Sequence, residues 1–190
     1  GKALRLDGFT TQVHVNPTQQ INGSFTVEAW VAQSAYPWNW APVITHKAQG
    51  RQQKLGTTGF YFGVGPKGEV GLEIWIEGEL YRCISSEFTL ELFKWFHVGA
   101  VVKEGEGIYL YCNGKQVGFT AVDASFSGPQ GGEMVIGMNE EAVKPSHIHR
   151  QHGTLPYFYS IDGALDNLKI YNEALDAGKT DVHFPKGSYL

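Results

Sequence analysis

The stretch Gly71-Leu72-Glu73-Ile74-Trp75-Ile76-Glu77 sets two carboxylates and an indole at alternate positions, with aliphatic side chains between them. In an extended chain successive side chains point to opposite faces, so Glu73, Trp75 and Glu77 share one face and Leu72, Ile74 and Ile76 the other. Paired carboxylates are the raw material of general acid and base chemistry. A displacement through a covalent intermediate needs them about 5–5.5 Å apart, whereas strand positions i and i+4 differ by about 13 Å along the backbone. Catalysis by Glu73 and Glu77 therefore requires their side chains to converge; otherwise they are solvated acceptors flanking a ring.

Two further segments carry chemistry. In "AYPWNWAP" (35–42), Tyr36, Trp38 and Trp40 are fenced by Pro37 and Pro42 and follow no period that would bury one face. Proline stiffens such a loop, so the rings either stand out as a rigid stacking surface or fold back as a lid over the core. "HIHRQH" brings His147, His149 and His152 within six residues. Three imidazoles suit a transition metal, but the run has no helical i, i+4 pair and no cysteine nearby. With Arg150, Tyr157 and Tyr159, it instead offers hydrogen-bond donors and a second ring surface. There is no Gly-x-Ser-x-Gly elbow, and "SGPQGGE" lacks the Lys-Ser/Thr ending of a phosphate loop. Cys83 and Cys112 are too few for a disulfide scaffold and are not spaced for zinc; a mutual disulfide and two buried thiols both remain open.

The elements that must position these residues read as strands. Alternation recurs in "FTVEAWV", "GFYFGV" and "VGLEIWIEG", and further strands are expected at 3–6, 11–15, 43–47, 80–84, 95–103, 107–112, 116–120, 133–138 and 164–171. Pro66-Lys67-Gly68 and Asn113-Gly114-Lys115 are hairpin signals, and Asp7-Gly8 reads as another. Residues 172–180 alone look helical, for a turn or two between Asn172 and Gly178. A dozen short strands predict an all-β, two-sheet antiparallel jelly-roll sandwich.

The bulk numbers agree. A chain of 190 residues with 42% hydrophobic and 18% charged residues fits one globular domain, and 24 glycines with 13% aromatics lean toward β structure. We read residues 1–180 as that domain and 181–190 as a linker or tail toward a missing neighbour. A net charge of -4, with 15 Lys and Arg scattered, offers no basic stripe and argues against nucleic acid. The run from Trp95 to Val102 is too short for membrane insertion. Any export signal has been removed or lies upstream.

Four segments resemble a known pattern. "ALRLDGFTTQVHV" is similar to the opening strand pair of laminin-G-like, concanavalin A-like modules, and "GSFTVEAWV" to their next strand. "WFHVGAVV" with "IYLYCNGKQVG", and above all "GALDNLKIYNEAL", match the later blocks. The resemblance spans Ala3 to about Leu175. It implies a β-sandwich of the concanavalin A-like lectin/glucanase type, found as an accessory module beside glycoside hydrolases that act outside the cell or in the periplasm. It implies a poly- or oligosaccharide ligand and an attached catalytic domain as partners, although some modules have no sugar ligand and only pack against their neighbour.

Under that resemblance Tyr36, Trp38, Trp40 and Trp75 become stacking surfaces for the C–H patches of sugar rings. Glu73, Glu77, His149 and Tyr157 become partners for hydroxyls. Some jelly-roll glycosidases carry a catalytic "E-x-D-x-E" on one strand; here Trp75 replaces the central acid, so the expectation is a non-catalytic domain. Asp7 and Asp166 resemble positions where such modules hold a structural Ca²⁺, although Asn167 stands where a second acid is usual.

Overall fold

The computed structural model describes residues 2–47, 58–140 and 158–176. Among the described residues twelve strands form two antiparallel six-stranded sheets: β1 (Leu4–Asp7), β2 (Val13–Val15), β3 (Phe25–Ala35), β4 (Ala41–Lys47), β5 (Gly59–Val64), β6 (Val70–Ile76), β7 (Glu79–Ile84), β8 (Trp95–Lys103), β9 (Gly107–Cys112), β10 (Lys115–Ala121), β11 (Met134–Ile136) and β12 (Asp162–Tyr171). The first sheet runs β1-β12-β3-β8-β9-β10 and the second β2-β11-β4-β5-β6-β7. This is the expected jelly-roll sandwich.

Alternation decides what each strand buries. On β3, Phe25, Val27, Ala29 and Val31 face inward, paired with Val102, Ala100, Val98 and Phe96 of β8. On the opposing sheet Phe60, Phe62 and Val64 pair with Ile74, Leu72 and Val70. The layers meet where the Phe25 ring lies 5.4 Å from that of Phe60. Each Val, Leu, Ile or Phe side chain among them contributes about 1.5–3 kcal/mol on leaving water.

Asn113-Gly114 and Glu77-Gly78, all four at positive φ, close two-residue hairpins β9–β10 and β6–β7. Asp7-Gly8 does not make a hairpin. β1 pairs with β12 and β2 with β11, so this turn carries the chain from one sheet to the other. Residues 172–176 form no helix; the rest of that expected turn, and the tail 181–190, lie outside the described residues.

The aromatic loop is shorter than its sequence suggested, since Ala35 ends β3 while Ala41 and Pro42 open β4. Pro42 is accommodated at a register shift between Pro42 and Ile44, where the ladder makes no demand on its missing N–H. Residues 36–40 thus cross between the sheets and deliver Trp40 to the outer face of the second one.

Candidate functional site

Antiparallel pairing puts Tyr61, Glu73 and Arg82 in one outward row across β5, β6 and β7, with Trp75 and Leu80 in the row on one side and Gly63, Gly71 and Ile84 in the row on the other. Trp40 comes over the edge of this surface. A Cβ built on Gly71 would stand 2.8 Å from Trp40 Cζ3, and one on Gly65 would stand 3.0 Å from Cζ2. Only bare Cα atoms let the indole come this close. The Tyr61 hydroxyl, buried in the same corner, donates to the Trp40 carbonyl and ties the loop to the sheet. Burial, then the neighbouring Tyr159 and Glu73, push the Tyr61 phenol well above its ordinary value, so it stays protonated as a donor.

Trp40, Tyr61, Gly71, Glu73, Arg82 and Ile84 line a shallow depression too narrow to seat a water molecule. At its centre Arg82 Nη2 lies 2.5 Å from Glu73 Oε1. Along the strand, the Lys47 ammonium sits 4.6 Å from the Trp75 ring centroid and 5.3 Å from that of Tyr61. Leu80 and Ile84 are exposed on β7 beside Trp75 and Gly71. On the same outer face, Thr45 of β4 and Val135 of β11 are buried. Every residue of β5 is buried as well, so the open part is the outer face of β6 and β7.

Against the sequence expectations, Trp40, Glu73 and Trp75 are brought together on this face. Glu77 leaves the row: β6 ends at Ile76, and Glu77 opens the hairpin with φ 52°. Trp38 takes the lid position, packed against the core and edge-on to Tyr159 at 5.3 Å between centroids. Tyr36 is part-exposed, with its hydroxyl donating to the Leu90 carbonyl at 2.8 Å. His149 and Tyr157, like the rest of the histidine run, lie outside the described residues. Cys83 and Cys112 are buried free thiols on β7 and β9, and burial pushes the Cys112 thiol up to about 12.

Asp7 and Asp166 do not converge. Asp7 sits opposite Asp162, and Asp166 lies four residues further along β12, about 13 Å by strand rise. The Asp7 carboxylate accepts the Thr10 hydroxyl at 2.6 Å and the N–H groups of Thr11, Thr10 and Phe9 at 2.8–3.0 Å. Those donors hold its carboxyl far below the usual carboxylate range. Asp166 accepts the N–H of Asn167 at 2.8 Å. This donor set does not fit a calcium ion shared by the two, and among the described residues no three His, Cys, Asp or Glu side chains gather as metal ligands.

Sequence reasoning missed Tyr61, Arg82, Lys47 and the glycine floor. Gly63, Gly65 and Gly71, all on or beside strands β5 and β6, were the available signal, since glycine inside a strand marks a close approach by another group. It also missed a polar cluster on the opposite sheet. There Glu28, 6% exposed, meets His97 Nε2 at 3.3 Å, the Tyr171 hydroxyl at 3.1 Å and Lys169 Nζ at 3.6 Å. Burial alone would raise the Glu28 carboxyl, but His97, Tyr171 and Lys169 together outweigh it and hold it below its ordinary value. The cluster clamps β3, β8 and β12 to one another.

Residues 7–179 match the laminin G-like family described as the concanavalin A-like lectin/glucanases superfamily. A comparison with curated proteins finds no significant match. Among solved structures, the chain is similar to the CBM40 of the Ruminococcus gnavus IT-sialidase, with 12% identity, 95% of each chain covered and a TM-score of 0.61. A second structure of that module is bound to alpha2,3 sialyllactose. The native heptameric SAP-like pentraxin from Limulus polyphemus matches with 20% identity over 88% of this chain and 73% of its own, at a TM-score of 0.57. Botulinum neurotoxin type C, whose cell entry depends on interaction with two ganglioside molecules, matches with 13% identity and a TM-score of 0.57. That match covers 96% of this chain but 44% of the toxin chain. At such identities the likeness is one of fold.

Proposed function

Because the chain belongs to the concanavalin A-like lectin/glucanases superfamily, we propose that it is a non-catalytic carbohydrate-binding module whose ligand lies on the outer face of β6 and β7. The observation that carries this reading is the grouping of Trp40 and Trp75 around the Glu73–Arg82 pair on an open part of the sheet. Sugar rings present C–H patches bordered by hydroxyls, which such a surface meets with indole faces and a few charged hydrogen-bonding groups. Relatives of this fold that engage sialyllactose and gangliosides lend it support.

The non-catalytic assignment is supported by the acids themselves. Glu73 is engaged by Arg82, and Glu77 sits in a hairpin turn at positive φ rather than in the strand row, which argues against the close carboxylate pair that glycoside cleavage by retention uses. In the finer reading, the module serves a glycoside hydrolase in the same polypeptide, outside the cell or in the periplasm. Its motif resemblance to such accessory modules is the support.

A glycan array probed with the parent protein and with Trp75→Ala tests the assignment. The parent is expected to give discrete glycan signals that fall at least about tenfold in the variant, with the melting temperature little changed. A parent silent across plant, fungal, bacterial and animal glycans would sink the reading.

A further inference from the structure

The open face carries a repeat that the grouping of residues alone does not convey. Along β6, the outward positions are Gly71 under Trp40, then Glu73, then Trp75; along β7, opposite them, they are Ile84, Arg82 and Leu80. The surface is therefore banded: Trp40 with Ile84, then the Glu73–Arg82 pair, then Trp75 with Leu80. Apolar, charged and apolar bands follow one another along the strands. Successive outward positions of a strand are about 6.7 Å apart, so the two apolar bands are about 13 Å apart, a span that a single sugar ring does not bridge. Leu80, Arg82 and Ile84 are exposed along the whole length of this row.

We propose, resting on the carbohydrate reading above, that this face binds the interior of a linear oligosaccharide of at least three units laid along β6 and β7. The outer two units stack on the Trp40–Ile84 and Trp75–Leu80 bands. The middle unit places its hydroxyls on the Glu73 carboxylate and the Arg82 guanidinium. The Lys47 ammonium, over the Trp75 ring, meets the unit at that end. A site built for one terminal sugar would instead enclose it, with its polar groups converging on a single ring.

The test is a size series measured by calorimetry: linear β-1,4-glucan, β-1,3-glucan, β-1,4-xylan and α-1,4-glucan oligosaccharides of one to six units. For at least one series, affinity is expected to rise at least about tenfold from the monosaccharide to the trisaccharide and to change little beyond the tetrasaccharide. Trp75→Ala should abolish the gain from the second to the third unit and leave the first step in place. Trp75→Phe should restore part of it, which a merely structural role for Trp75 would not show.

A monosaccharide held as tightly as its trisaccharide overturns the inference. So does a protein that ignores every linear series yet binds branched or terminal glycans on the array, and in either case the carbohydrate reading survives. Failure to bind any glycan overturns both together.

Discussion

The indole of Trp40 rests on the bare Cα of Gly71, with Cζ3 only 2.8 Å from where a Cβ would stand. A methyl group there has nowhere to go, because the Cys83 carbonyl oxygen lies 3.1 Å away on another side. Gly71→Ala should therefore push Trp40 off the sheet, at a stability cost of about 1–3 kcal/mol for overpacking. The Trp40 indole N–H resonance is expected to move and glycan affinity to drop about tenfold. An unmoved resonance with affinity intact would mean that Trp40 has no fixed seat on the glycine floor.

The Glu73–Arg82 pair separates binding from stability. Arg82 is 48% exposed at its side chain, and a surface ion pair of this kind contributes about 0–1 kcal/mol. Arg82→Ala should thus shift the melting temperature by no more than about 2–4 °C while glycan affinity falls several-fold. Reducing-sugar release from polysaccharides is expected to stay at the buffer rate for both the parent and Glu73→Gln. Release by the parent that Glu73→Gln abolishes would restore a catalytic role for Glu73.

Trp38 should behave unlike its two neighbours in the site. It packs on the core and on Tyr159, so Trp38→Ala leaves a hole at the end of the sandwich. A fully buried aromatic costs about 3–5 kcal/mol on truncation to alanine; for this half-buried one about 2–4 kcal/mol is expected, or roughly 5–15 °C in melting temperature. Glycan affinity measured at 10 °C, where the variant remains folded, should stay within twofold of the parent. The opposite pattern, a stable variant that no longer binds, would move Trp38 from the core to the site.

The sandwich was legible because alternation is a local property: Phe25-Val27-Ala29-Val31 and Val70-Leu72-Ile74-Ile76 announce which face they bury without reference to any partner. What alternation cannot report is where a strand stops. Glu77 fits the period perfectly, yet Glu77-Gly78 supplies a turn that ends the row one position early. Pairing across the sheet is hidden for the same reason. Arg82 is nine residues from Glu73 in sequence and opposite it only through the β6–β7 register, and Asp7 is separated from Asp166 only once β1 lies against β12. The Trp40 seat was written in Gly65 and Gly71, but which ring would use those glycines depended on how the 36–40 crossover enters β4.

A buried histidine should set the response to mild acid. His46, 1% exposed, donates from Nε2 to the Gly131 carbonyl at 3.1 Å, while Nδ1 is buried beside the Phe60 ring with no hydrogen-bond partner among the described residues. Burial holds its folded value below the ordinary 6.5, so the folded ring is neutral where the unfolded ring already takes a proton. Between the folded value and about 6.5 the unfolded chain binds more protons, and stability therefore rises with pH across that window. Its contribution is complete above about 6.5 and is lost as the pH falls toward the folded value. Thermal melts at half-unit steps from pH 7.5 to 4.5 should show the melting temperature falling below about 6.5. His46→Gln, which keeps an N–H for Gly131 but cannot take a proton, should flatten that fall. The carboxylates with lowered values, Asp7 and Glu28, act below their ordinary 3.8 and 4.5, so a decline that begins near pH 6 is separable from theirs. An equal decline in the parent and His46→Gln would locate the acid-sensitive group elsewhere.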